Sequence, residues 1–278
     1  MTVNNALSGA ALFSLVLGCA ACPPAKPAAS AATVQEAQLP TDEKALMEYA
    51  DQQYAKQSLE GAENAAVALR KAAAAGGTIE TLWRLARAYA WLAGEYPDSD
   101  RREANATKGM EAGEKAVAAD AKRSEGFYYL AICRGQYVQL KKDKARDRVP
   151  GVVEAAKAAA KIDEKFDSAG PLRILGSVYA QAPEPPVSVG DHEEGIKLLE
   201  RAVKLDPSYP ENQLLLGDAY RVSKKLEDAE RMYQAVLAMQ PAGTWANRLP
   251  RWHKEAQDGL NRVNTIRRQH NGGGAEIF

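Results

Sequence analysis

Between Glu211 and Pro241 the chain describes two short helices folded against each other, and this unit restricts the possible folds more than any other feature. Leu216-Gly217 is followed by Tyr220, then by Ala229, Tyr233 and Pro241. Small Gly217 and Ala229 let two antiparallel helices approach closely, while Leu216, Tyr220 and Tyr233 fill the seam between them. The proline stops the second helix, because it has no backbone N–H and its ring clashes with the preceding turn. Such a pair cannot bury both faces alone, so the pattern implies neighbours of the same kind.

The neighbours are legible upstream. Leu175-Gly176 and Tyr179 mark one first helix, with Gly195, Leu199, Ala202 and Asp206-Pro207 on its partner. Between them Pro183-Glu-Pro-Pro-Val-Ser-Val-Gly190 is a loop that no helix can cross. A further unit has Leu85-Ala86 and Tyr89, then Gly109, Ala116 and Asp120; another has Leu130-Ala131, then Ala156, Ala159 and Asp163. The closing positions 120, 163, 206 and 240 lie 43, 43 and 34 residues apart, so most units are stretched. Thr41 to Ser58 and Leu59 to Ala75 add a leading hairpin stopped by Gly76-Gly77, after which Thr78 is the expected N-cap. Trp252, Ala256, Leu260 and Val263 form one apolar stripe, as a terminal capping helix requires.

Composition agrees, since Ala, Leu, Lys, Glu and Arg cost least in a helix interior and alternating β-branched runs are almost absent. A formal net charge of +0 supplies no bulk field to attract nucleic acid or an anionic membrane. The basic run Lys141 to Arg148 (KKDKARDR) reads as a solvated loop between helices.

The spacing of Leu-Gly, Tyr, Ala, an aromatic and a closing Pro resembles the tetratricopeptide repeat. The implied fold is all-α, an α-solenoid of stretched tetratricopeptide-like hairpins. A longer string, Leu82-Trp83-Arg84-Leu85-Ala86-Arg87-Ala88, then Ala116-Val117 to Asp120, Tyr129-Leu130-Ala131-Ile132-Cys133 and Leu214-Leu215-Leu216-Gly217, resembles the regulator of microtubule dynamics proteins over roughly residues 60 to 245. The chain is also similar to the T component of periplasmic TRAP transporters, a lipoprotein of stretched tetratricopeptide units.

The N-terminus points to export. Ala6 to Gly18 is an apolar run of signal-peptide length, too short to span a bilayer. It ends in Val16-Leu17-Gly18-Cys19, which resembles a bacterial lipobox and implies a lipid on Cys19; Cys22, after Ala20-Ala21, is a rival acceptor. No Lys or Arg precedes the run, a departure from the usual charged start. The expected organisation is a signal over residues 1–19, a flexible Pro/Ala linker over 20–40, the repeat domain over 41–269 and a disordered tail over 270–278. Ala20 after Cys19 implies an outer-membrane lipoprotein facing the periplasm.

Repeats of this class bind on the concave face, lined by the first helix of each pair. The resemblance puts Trp83, Arg87, Trp91, Tyr128, Gln136, Arg173, Asp218 and Arg221 there, an aromatic-and-arginine groove suited to a peptide or to a carboxylate. The same residues could instead pack the core or lie on solvated faces. His192, His253 and His270 are scattered and none has a second His at helical spacing, so no metal site is expected. With no phosphate loop and no nucleophile elbow, no catalytic residue and no cofactor are expected either. The expected function is a non-catalytic scaffold, anchored to the membrane by its N-terminal lipid, holding a protein or peptide partner and no nucleic acid. The alternative is a ligand-binding accessory of a TRAP-type solute transporter, with a small carboxylate in the groove. Microtubule binding, known for eukaryotic relatives, is a weaker alternative, since a periplasmic protein meets no microtubules.

Overall fold

The computed structural model describes residues 36–272, with side chains to residue 269; among them every regular element is helical. Eleven α-helices follow in order: α1 Glu43–Tyr54, α2 Leu59–Ala74, α3 Ile79–Glu95, α4 Ser99–Ala119, α5 Ser124–Leu140, α6 Ala145–Ile162, α7 Phe166–Gln181, α8 His192–Leu205, α9 Pro210–Val222, α10 Leu226–Ala238 and α11 Leu249–Gly272. The fold is the expected solenoid of tetratricopeptide-like hairpins. Consecutive helices pack in pairs, and the first helices also touch one another, α1 to α3, α3 to α5, α5 to α7, α7 to α9 and α9 to α11. They therefore form one inner layer, backed by the second helices.

Short polar side chains start many of these helices. Asp42, Ser58, Asp98 and Asp191 each accept from a backbone N–H three residues on, satisfying a donor the helix cannot. Thr78 departs from expectation. Its own side chain makes no cap bond; instead Glu43 Oε1, brought over from α1, accepts from Thr78 N, Thr78 Oγ1 and Thr81 Oγ1 at 2.6–2.7 Å. These three bonds, Thr81 foremost, hold the Glu43 carboxyl below its ordinary pKa.

Alanine does much of the packing. Ala65, Ala68, Ala86, Ala93, Ala116, Ala156 and Ala159 are each no more than 1% exposed, so helix backbones lie close together. Gly195 shows the same closeness, because a Cβ there would lie 2.5 Å from Ala180 N on α7. Cys133 is fully buried, as a small apolar residue would be. In α11 the expected stripe faces inward, with Trp252, Ala256 and Val263 buried.

Three stretches differ from the sequence reading. The basic run is not all loop: Lys142–Lys144 form a 3-10 turn, Ala145–Arg148 open α6 around buried Ala145, and Lys141 pairs with Glu103 at 2.7 Å. Ahead of position 41, Glu36–Gln38 form another 3-10 turn, Leu39 is buried, and Lys71 Nζ donates to the carbonyls of Glu36 and Leu39. Finally, α11 continues to Gly272. Cys19, the signal, residues 20–35 of the linker and residues 273–278 of the tail lie outside the described residues.

Candidate functional site

The inner layer lines a partly open cavity of about 670 Å³. Its wall takes residues from α1, α3, α5, α7 and α9, so every first helix of the five hairpins contributes. A segment outside the repeats also contributes to the lining. The 3-10 helix Gly243–Arg248, here called the strap, lies in the chain between α10 and α11, packs against α11 and brings Trp245 and Arg248 into the lining. Just beyond it, Arg251 at the start of α11 meets Glu95 at the end of α3, Nη1 to Oε1 2.9 Å. That pair joins the C-terminal helix to the second hairpin across 156 residues of chain.

Arg173 of α7 organises the floor. It is 4% exposed, and its Nη1 donates to the carbonyls of Asp167 and Ser168 and to Asn212 Oδ1 at 2.7–3.2 Å. Its Nη2 reaches Tyr128 Oη, Glu211 and Asp167 lie 3.5 Å away, and its guanidinium covers the Tyr209 ring at 4.6 Å. Burial works against this charge, yet Tyr128, Tyr209, Glu211 and Asp167 more than offset it and raise the pKa. The two carbonyls it holds belong to an unusual turn, since Asp167, Ser168 and Ala169 all have positive φ (49°, 56° and 64°). Left-handed backbone costs a non-glycine residue about 1–2 kcal/mol, so Arg173 and Asn212 are what keeps three in succession. Tyr128, hydrogen-bonded to Asp167 and buried, has its hydroxyl pKa raised by that burial first and by the nearby carboxylate second.

Of the eight residues expected on the concave face, the cavity brings together five: Arg87, Trp91, Tyr128, Gln136 and Arg173. Arg87 pairs with Asp51 and lies over Tyr54, while Gln136 is 5% exposed and donates to the carbonyl of Ala90. Both leave a buried polar atom unpartnered, Arg87 Nε and Gln136 Oε1. The other three do not line the cavity. Trp83 stacks on Tyr129 with ring centres 5.9 Å apart, and its indole N–H donates to Glu80. Asp218 is 6% exposed; its Oδ1 accepts from Tyr233 Oη at 2.8 Å and from Arg221 Nη2 at 3.2 Å, which fixes both residues in the α9–α10 seam. The spacing did not reveal Asp51, Glu95, Glu211 or the strap's Trp245 and Arg248, which also line the cavity.

Among the described residues, no group of His, Cys, Asp and Glu is arranged to hold a metal ion. No helix among them is long and apolar enough to cross a membrane.

By fold this chain is a tetratricopeptide-like helical-repeat protein. Residues 46–165 match the model of the family described as regulator of microtubule dynamics protein 1-3, and residues 187–247 match a tetratricopeptide repeat model. No curated protein matches the chain at a significant level. Among solved structures it is similar to a thermophilic TPR protein of Thermus thermophilus, at 19% identity and a TM-score of 0.56, over 77% of this chain and 98% of that one. The MamA protein aligns at 16% identity and a TM-score of 0.44, over 85% of this chain and 96% of that one. At 19% identity the likeness to the Thermus thermophilus protein is one of fold.

Proposed function

We propose that this protein is a non-catalytic binding scaffold that holds part of a partner protein in the inner cavity. The observation that carries the reading is the cavity itself, to which all five first helices and the strap contribute lining residues. Its wall mixes aromatic faces with arginines, and it exceeds the volume of any single side chain, as a recognition pocket should. We further propose that Cys19 carries a lipid that tethers the scaffold to a bacterial envelope membrane, facing the periplasm.

A photo-crosslinking amino acid placed at Trp91 tests the first part, with the same group at exposed Lys115 on α4 as the comparison. Specific adducts from position 91 alone support the scaffold; equal adducts from both positions, or none from position 91, refute it. For the anchor, Cys19→Ser should release the protein from the membrane fraction, and a variant that stays membrane-bound and lipid-labelled removes the proposal.

A second reading is favoured by the size of the cavity. A cavity of this size also suits a compact ligand, as an accessory of a solute transporter would require. A native mass spectrum of the protein purified from its own envelope, showing a bound small molecule that Trp91→Ala loses, would favour it.

A further inference from the structure

One cation of the cavity wall stands without a close anionic partner. Four carboxylates line the wall, and each already has an arginine at ion-pair distance. Asp51 meets Arg84 and Arg87, Asp167 and Glu211 meet Arg173, and Glu95 meets Arg251. Arg248 also lines the wall. Among the described residues it has no ion-paired carboxylate and no hydrogen-bond acceptor, and the one ring its guanidinium covers is Trp252 at 5.2 Å. Its nitrogens are not sealed away, unlike the buried Nε of Arg87. Burial and the nearby Arg251 oppose its charge, and the fields of Glu211, Tyr209 and Glu95 outweigh them from beyond pairing distance. A cation of this kind, with its fork of donors unused, is the complement of a carboxylate.

The surroundings specify the rest of the ligand. Trp245 is three residues before Arg248 on the same strap and packs against Trp252, ring centres 6.1 Å apart. Trp91 of α3 also lines the cavity, is only partly buried, and has no aromatic partner among the described residues. Resting on the reading of this cavity as the binding site, we infer that its occupant carries a carboxylate that Arg248 binds and an apolar or aromatic body that packs on Trp91 and Trp245. The same chemistry could come from a free organic acid or from the C-terminal end of a partner chain.

Matched acid and amide probes test this on the full chain. 1-Naphthaleneacetate is compared with 1-naphthaleneacetamide, and the peptide acetyl-Ala-Ala-Trp acid with its C-terminal amide, by saturation-transfer NMR titration. A charge-assisted bond at Arg248 should make the acid of at least one pair bind about tenfold tighter than its amide. Arg248→Gln should erase that preference while Arg248→Lys keeps part of it, with circular dichroism confirming that both variants are folded. A preference confined to the naphthalene pair assigns the ligand as a free acid; one confined to the peptide pair assigns it as a chain end. Equal binding of acid and amide in both pairs, no binding in either, or a preference that survives Arg248→Gln overturns the inference. The underlying reading fails separately: if Trp91→Ala weakens no probe that binds, the cavity is not where they sit.

Discussion

Gly195 and Gly151 are both helix-interior glycines, yet replacing them with alanine should move stability in opposite directions. In a solvated helix the exchange is favourable by about 1 kcal/mol, because alanine loses less backbone entropy and shields the helix. At Gly151 of α6 nothing opposes that gain. The nearest atom to an added Cβ is Arg134 Nη1 at 3.5 Å, an ordinary contact with the end of a flexible side chain. At Gly195 of α8 the new carbon would lie 2.5 Å from Ala180 N and 2.9 Å from Ala180 Cα and Cβ. Those are fixed atoms of α7, so the two helices must part by about 1 Å to restore normal contact distances of about 3.5–4.0 Å. Overpacking of this kind costs about 1–3 kcal/mol and more where backbone must move. Set against the helix gain, Gly195→Ala should lose about 2 kcal/mol, whereas Gly151→Ala should gain about 0.5–1 kcal/mol. Urea unfolding followed by helical ellipticity measures both. A Gly195→Ala protein as stable as the parent, or a Gly151→Ala protein clearly weaker, would refute the packing argument.

Arg173→Met should cost about 3–5 kcal/mol in the same assay, because it strands Glu211 and releases the carbonyls of the left-handed turn; a loss below about 1 kcal/mol would contradict that role. Glu43→Gln should cost about 1 kcal/mol at neutral pH, as loss of a helix cap does. Since folding depresses the Glu43 pKa from 4.5, its stabilisation is present above that value and lost as pH falls through the folded pKa. The stability curves of parent and Glu43→Gln should therefore converge in acid, and a constant gap would count against the cap. Glu95→Arg should loosen the strap and speed chymotryptic cleavage after Trp245, with other sites unaffected. Cys133, whose thiol burial pushes well above its ordinary pKa, should resist alkylation in the native protein and react on unfolding.

The hairpins were legible because their signals are local. Leu216-Gly217 with Tyr220 and Tyr233 fixes a seam from spacing alone, and the Trp252 stripe marks a cap in the same way. Half-legible features depended on which face of a helix a residue takes. Arg87, Trp91 and Gln136 reach the cavity along α3 and α5, but Asp218 and Arg221 turn toward Tyr233, a buried hydroxyl with no other outlet. The strap was illegible, since Thr244 to Arg248 has no helical periodicity to mark it. So was the left-handed turn: no glycine stands at 167–169, and its conformation is imposed by Arg173 and Asn212. Thr78 was read as a cap by residue type, and only the folded chain brings Glu43 to it.

The contact between Arg251 and Glu95 also bears on how such a protein can change over evolutionary time. Open solenoids lengthen and shorten by duplicating or deleting a unit, because each unit answers only to its neighbours. Here the last helix must reach a fixed point on the second hairpin, and each unit adds its own rotation and rise to the path between them. One extra hairpin would carry Arg251 past Glu95, and one fewer would leave it short. The clasp thus counts the repeats, and any lineage that keeps it must keep their number.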